Sequence, residues 1–148
     1  NTPALVQTGA HGLYAHETVS AKDRELASQI LAATGLTIWV QSEAQIDAVT
    51  AVSGSGPAYF FAFVEAMIAG AKELGLSEAD ATKLTVQTFI GAAKLLESSG
   101  KSATTLRENV TSPNGTTFAA LTSFENSDLA AIVAAAMAAS ATRSQELA

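Results

Sequence analysis

The sequence predicts a mostly α-helical domain with one or two short strands near its N-terminus. Three observations carry that expectation. Of the 148 residues 48% are hydrophobic but only 6% aromatic, and much of the apolar share is alanine, which suits thin, closely packed helices better than sheets. Apolar residues recur at helical spacing through most segments beyond residue 20. Ser, Pro and Gly punctuate those segments where helix caps and stops belong.

The elements follow in order. Residues 1–16 lack a helical period: Pro3, Gly9 and Gly12 interrupt them, and Leu13-Tyr14-Ala15 has the composition of a short strand. Ser20 stands as an N-cap with Asp23 three residues on, opening a helix to about Thr34 through Leu26, Ile30 and Leu31, with Gly35 as its stop. Residues 37–41, TIWVQ, are β-branched and aromatic and form one strand. A segment around 43–52 returns to helix, with Ile46 and Val49 on one face. In Ser53-Gly54-Ser55-Gly56-Pro57 the glycines would let the chain turn tightly before Pro57 takes the first helical position. A long helix, 57–74, then carries Phe60, Phe61, Val64, Met67, Ile68 and Leu74 on a wide apolar face, and Gly75 ends it. Ser77, with Asp80, caps a helix to about Ser98. A short helix near 103–110 leads to Thr111-Ser112-Pro113-Asn114-Gly115, and Thr116 and Thr117 open a helix to about Glu125. Asn126 or Ser127 caps the last one.

Composition removes several function classes. A net charge of −6 and a pI near 4.7 disfavour nucleic acid and anionic membranes as partners. With no cysteine there is no disulfide framework, thiolate metal site or cysteine nucleophile. The first residues do not make a signal peptide. The most apolar windows, 58–71 and 129–139, do not read as bilayer spans: the first carries Glu65 and the second is too short. Both read as helices buried between protein layers, and Glu65 in its apolar run is a candidate to pair with a neighbour. Asn1-Thr2-Pro3 reads as the middle of a longer chain, so truncation is expected at the N-terminus only.

Two loops hold the candidate chemistry. Gly54-Ser55-Gly56 is neither a dinucleotide fingerprint nor a Walker loop, since position 59 is Tyr, and on spacing alone it merely starts a helix. Ser112, Thr116 and Thr117 place three hydroxyls around a Pro-Asn-Gly turn at a helix N-terminus. Unpaired N–H groups and a partial positive charge there suit a carboxylate or phosphate. On spacing alone simple capping, which needs the same residue types, is the favoured reading. His11 and His16, five residues apart, fit no zinc motif and read as loop histidines, and Trp39 reads as core. No metal cluster, paired carboxylates or Ser-His-Asp set is present.

Longer runs go further. Asp47-Ala48-Val49-Thr50-Ala51-Val52-Ser53-Gly54-Ser55-Gly56-Pro57-Ala58-Tyr59 resembles the segment that joins the two domains of pyrroline-5-carboxylate reductases. Leu106-Arg107-Glu108-Asn109-Val110-Thr111-Ser112-Pro113-Asn114-Gly115-Thr116-Thr117, with Ala120, Leu121 and Glu125, resembles that family's signature, with Asn114 where the family usually has glycine. Asn1-Thr2-Pro3 and Arg143-Ser144-Gln145-Glu146-Leu147 are similar to its domain exit and its ending.

The resemblance implies a helical dimerisation domain of the 6-phosphogluconate dehydrogenase C-terminal type, with short strands left from a Rossmann sheet. It divides the chain into 1–42, the end of a nucleotide-binding domain, and 43–148, an all-helical dimerisation and substrate-binding domain. It implies hydride transfer from NADPH or NADH to the C=N carbon of pyrroline-5-carboxylate, giving L-proline, in a cytoplasmic homodimer with larger assemblies left open. By resemblance Ser112, Gly115, Thr116 and Thr117 hold the substrate, and the Thr117 hydroxyl meets the ring nitrogen as the catalytic group. Ser55, Gly56, Pro57 and Ala58 lie beside the nicotinamide, and Asn1 lies on the cofactor side. The chain has no Gly-x-Gly-x-x-Gly, so alone it is expected to be inactive and to hold no cofactor tightly. Two rivals stand beside this: a purely structural helical dimer, and a β-hydroxyacid dehydrogenase-like enzyme. Against the latter, no lysine follows the glycine turn before Lys72.

Overall fold

The computed structural model describes all 148 residues. A 3-10 turn at Thr2–Val6 precedes strand β1 (Gly9–Leu13), helix α1 (Ala21–Ala32) and strand β2 (Gly35–Trp39). Five residues of α-helix, α2 (Gln45–Val49), pass through a π-helical turn at Thr50–Gly54 into α3 (Gly56–Glu73). Then come α4 (Glu78–Ser99), α5 (Ala103–Asn109), α6 (Thr116–Asn126) and α7 (Leu129–Glu146). The mostly helical architecture and its order agree with the sequence.

The chain divides into two compact units, residues Asn1–Phe60 with Val133–Ala148, and residues Phe61–Ile132. In the first, β1 and β2 pair in parallel with Gly9 opposite Gly35, and α1 is the crossover. Gly35 has φ 154°, and a Cβ there would run into the Gly9 backbone, so this closest point of the pair requires glycine. Trp39 is half-buried, donating from Nε1 to Ser28 Oγ at 2.9 Å with the Arg24 guanidinium 5.7 Å from its ring centroid. In the second unit, Phe63 and Phe124 pack with ring centroids 6.2 Å apart, and Ala81 and Thr85 of α4 are buried.

Four expectations need correction. The first strand lies at 9–13 rather than 13–15, because a partner twenty-six residues away in the register, Gly35–Trp39, sets it and local composition does not. Residues 53–57 are not a tight turn. Neither Gly54 nor Gly56 has a positive φ, and the backbone stays helical, with Ser55 N–H donating to Thr50 O at 2.8 Å in a π register. The last helix is capped by Asp128, at φ 53° with Oδ1 accepting from Ala131 N–H, and not by Asn126 or Ser127. Asp tolerates that left-handed backbone and its carboxylate serves the first helical turn. Glu65 is exposed and makes no ion pair.

The apolar windows are also not buried within the chain. No large side chain is fully buried, and Phe60, Phe61, Leu84 and Ile132 are each more than half exposed. The continuous helical run Gln45–Glu73 has a mean hydropathy of 1.2 in its most apolar stretch, long and apolar enough by composition to cross a membrane.

Candidate functional site

Residues 111–117 form a local frame of turn and helix start. After α5, Thr111 Oγ1 donates to Arg107 O at 2.6 Å, which closes the helix end. Gly115 N–H then donates to Ser112 O at 3.0 Å across Pro113 and Asn114. Proline second and a residue at φ 57° third is the pattern of a type II turn. Asn114 therefore fills the position where positive φ is required.

Gly115 is the N-cap of α6, extended at φ −78° and ψ 174°, and no side chain caps the helix. That is the informative contrast. Ser20, Ser77 and Ser102 each accept the third N–H of their own helices, from Asp23, Asp80 and Thr105. In α6 the hydroxyls of Ser112, Thr116 and Thr117 do not cap, and none takes a protein hydrogen bond. The first-turn N–H groups are thus open, with the positive end of an 11-residue helix behind them. Ser112 Oγ lies where a Gly115 Cβ would stand, so only glycine lets that hydroxyl fold over the helix start. Thr117 is half-buried, and Ser112 and Thr116 are exposed. None of these side chains caps α6, and its first turn is left open.

Ser55, Gly56, Pro57 and Ala58 lie in the other compact unit, at the π-helical turn and the first turn of α3. Asn1 is there too. Its Nδ2 donates to Ser53 O at 2.7 Å, and its Oδ1 accepts from Ala10 N–H at 3.1 Å. Ser55 Oγ shares a hydrogen bond of 2.8 Å with Ser140 Oγ of α7. Ser55 and Ser140 open onto a groove of about 830 Å³ also lined by Tyr14, Asp47, Thr50 and Arg143. Gly56 is buried, yet a Cβ on it would meet nothing within 4 Å, so unfilled space lies beside it. The sequence gave no signal for Ser140, 85 residues from its partner, nor for Tyr59, whose hydroxyl is buried without a hydrogen-bond partner.

His11 and His16 are taken up by hydroxyl groups, Thr34 Oγ1 and Thr18 Oγ1, each at 3.0 Å. No group of three or more His, Asp or Glu side chains could hold a metal ion.

Residues 43–147 match the family model described as pyrroline-5-carboxylate reductase dimerisation. A curated pyrroline-5-carboxylate reductase of Pseudomonas aeruginosa is 53% identical over all of this chain, which covers 54% of that relative. Among solved structures, a pyrroline-5-carboxylate reductase from Coxiella burnetii aligns with a TM-score of 0.96 and 44% identity, covering 100% of this chain and 55% of that one. The NADP-bound pyrroline carboxylate reductase of Plasmodium falciparum aligns at 0.88 with 30% identity, over 99% of this chain and 58% of the other. The chain thus spans about half the length of the relatives it matches, and over that half it belongs to the pyrroline-5-carboxylate reductase family, through its dimerisation domain.

Proposed function

We propose that this chain is the dimerising, substrate-holding part of a cytoplasmic oxidoreductase that reduces 1-pyrroline-5-carboxylate to L-proline with NADPH or NADH, the last step of proline biosynthesis. The observation that carries the reading is the uncapped start of α6. The substrate's one permanent charge is a carboxylate, and Thr116, Thr117 and Phe118 offer open first-turn N–H groups beside the unpartnered hydroxyls of Ser112, Thr116 and Thr117.

In this reading Ser112, Gly115 and Thr116 bind the carboxylate and so fix the ring. Thr117, one position further into the helix, directs its hydroxyl to the ring nitrogen. A neutral hydroxyl can donate or accept there, so it follows the change of charge at nitrogen without a shifted pKa. When bound, NAD(P)H supplies the hydride. Ser55, Gly56, Pro57 and Ala58 would flank the nicotinamide and Asn1 would stand on the same side. The open space beside buried Gly56 fits a flat ring. The pyrophosphate and adenosine need the fingerprint this chain lacks, so the chain alone binds no dinucleotide tightly. We place the domain boundary at 42/43, which the family match beginning at residue 43 supports, although residues 43–60 and 133–148 group with the strands in one compact unit. Orientation by these residues supplies most of the rate, because the cofactor carries the redox chemistry.

A second copy of the chain completes the unit. One chain exposes 10631 Å², whereas a folded monomer of 15.1 kDa would expose about 7,100 Å². The excess on two copies together is about 7,000 Å², more than most obligate interfaces bury, so a large part of it is open to a second copy. Asp47 and Glu65 interrupt the apolar helix, which favours a protein partner over a bilayer.

The test is Thr117→Ala in a reductase that joins this chain to a nucleotide-binding half. Losing one hydrogen bond to the reacting ring should lower kcat/KM by one to two decades, from roughly 1–3 kcal/mol. Unaltered kinetics would remove Thr117 from the reaction.

A further inference from the structure

The π-helical turn at Thr50–Gly54 has an identifiable cause and an identifiable clamp. Residue 57 is proline, so it has no N–H to give the Ser53 carbonyl, its partner four residues back in an α register. The proline ring also crowds that carbonyl. The backbone responds by widening one turn: Ser55 N–H reaches Thr50 O, five residues back, at 2.8 Å. The Ser53 carbonyl left without its helical donor accepts instead from Asn1 Nδ2 at 2.7 Å. The other end of the same amide, Oδ1, accepts from Ala10 N–H of β1 at 3.1 Å. One side chain therefore ties the sheet to the turn that sets the direction of Ser55, Gly56 and Ala58. Backbone carbonyls without a partner are costly, and π turns recur where a chain must aim functional residues.

We propose that Asn1 is a positioning residue: it replaces the donor that Pro57 removes from Ser53, and so holds the Ser55–Ala58 wall in register against the dinucleotide. This rests on the proposed placement of that wall beside the nicotinamide.

The test uses a reductase that contains the whole chain, with Asn1→Ala, the milder Asn1→Asp, and both repeated in a Pro57→Ala background. Asp keeps an acceptor for Ala10 and replaces the donor to Ser53 with a carboxylate oxygen that repels that carbonyl. Alanine at 57 restores an N–H that can serve Ser53 from within the helix. Two readouts are taken: hydrogen exchange at the Ser55 and Ala10 amides, and kcat beside KM for pyrroline-5-carboxylate. With Pro57 present, both substitutions should speed Ser55 exchange and lower kcat about tenfold, with KM for pyrroline-5-carboxylate unchanged. Only Asn1→Ala should also speed Ala10 exchange. In the Pro57→Ala background, Asn1→Asp should alter Ser55 exchange and kcat much less than it does with Pro57 present. Equal effects of Asn1→Asp in the two backgrounds, or unchanged Ser55 exchange, would overturn the clamp. The expected exchange pattern with kcat untouched would leave the clamp standing. It would then be the placement of Ser55–Ala58 at the dinucleotide that fails, and the positioning role with it.

Discussion

Thr117 lies one residue inside α6, half-buried, with its hydroxyl unclaimed by the protein. Thr117→Ser keeps that hydroxyl and should retain most of the activity that Thr117→Ala loses. Gly115 gives a second handle on the same frame. A methyl group at 115 would collide with Ser112 Oγ, so Gly115→Ala should push that hydroxyl off the helix start and weaken carboxylate binding. The expected result is a rise in KM for pyrroline-5-carboxylate of about tenfold, the loss of one charge-assisted hydrogen bond. An unchanged KM would mean that Ser112 does not touch the substrate. At this scale the sequence alone left Ser112, Thr116 and Thr117 divided between capping and anion binding, because both need the same residue types. The structure adds that the N-cap is a glycine with no side chain returning to it, which is why the proposal rests on anion binding.

Among the elements, legibility followed how local the cause was. Ser20 with Asp23 and Ser77 with Asp80 close N-caps within four residues, each Ser hydroxyl accepting from the Asp N–H and donating to its carboxylate, and both helices begin where those pairs predict. The π turn was misread because its cause is distributed. Gly-Ser-Gly before a proline has the composition of a turn, while the Asn1 amide that serves Ser53 stands 52 residues away. Asp128 escaped for a different reason: Asn126 and Ser127 are equally good cap residues, and the backbone passes to φ 53° only at Asp128. One exposed pair links α3 to α4. Lys72 Nζ donates to Glu78 Oε2 at 2.9 Å, and that hydrogen bond, with the ammonium charge, holds the Glu78 carboxyl below its ordinary value of 4.5. A carboxyl lowered in the folded state adds stability above its unfolded value, and that stability is lost as pH falls through the lowered one. Being exposed, the pair is weakened by salt. Lys72→Met should return Glu78 to about 4.5, as read from its side-chain carboxyl carbon by NMR. An unmoved value would assign the shift to some other neighbour.

For the whole molecule, the wide apolar arcs of residues 57–74 and 78–98 were legible as faces in need of cover, but not what covers them. Periodicity marks which side of a helix is apolar and is silent on whether the opposing layer is in the same chain. Phe60, Phe61, Leu84 and Ile132 remain more than half exposed in the single chain. Sedimentation equilibrium at micromolar concentration should therefore give twice 15.1 kDa, with no folded monomer on dilution before unfolding. A stable folded monomer would contradict the dimer. The proposed role of this helical chain, holding the substrate end of a proline-forming reductase, can be tested without turnover or cofactor. L-proline, the product, carries the same carboxylate and ring nitrogen. Titrated into isotope-labelled dimer at millimolar concentration, it should shift the amide resonances of Gly115, Thr116, Thr117 and Phe118 saturably, with the caps at Ser20 and Ser77 unaffected. No saturable shift at the start of α6, or shifts spread evenly over the chain, would contradict the account.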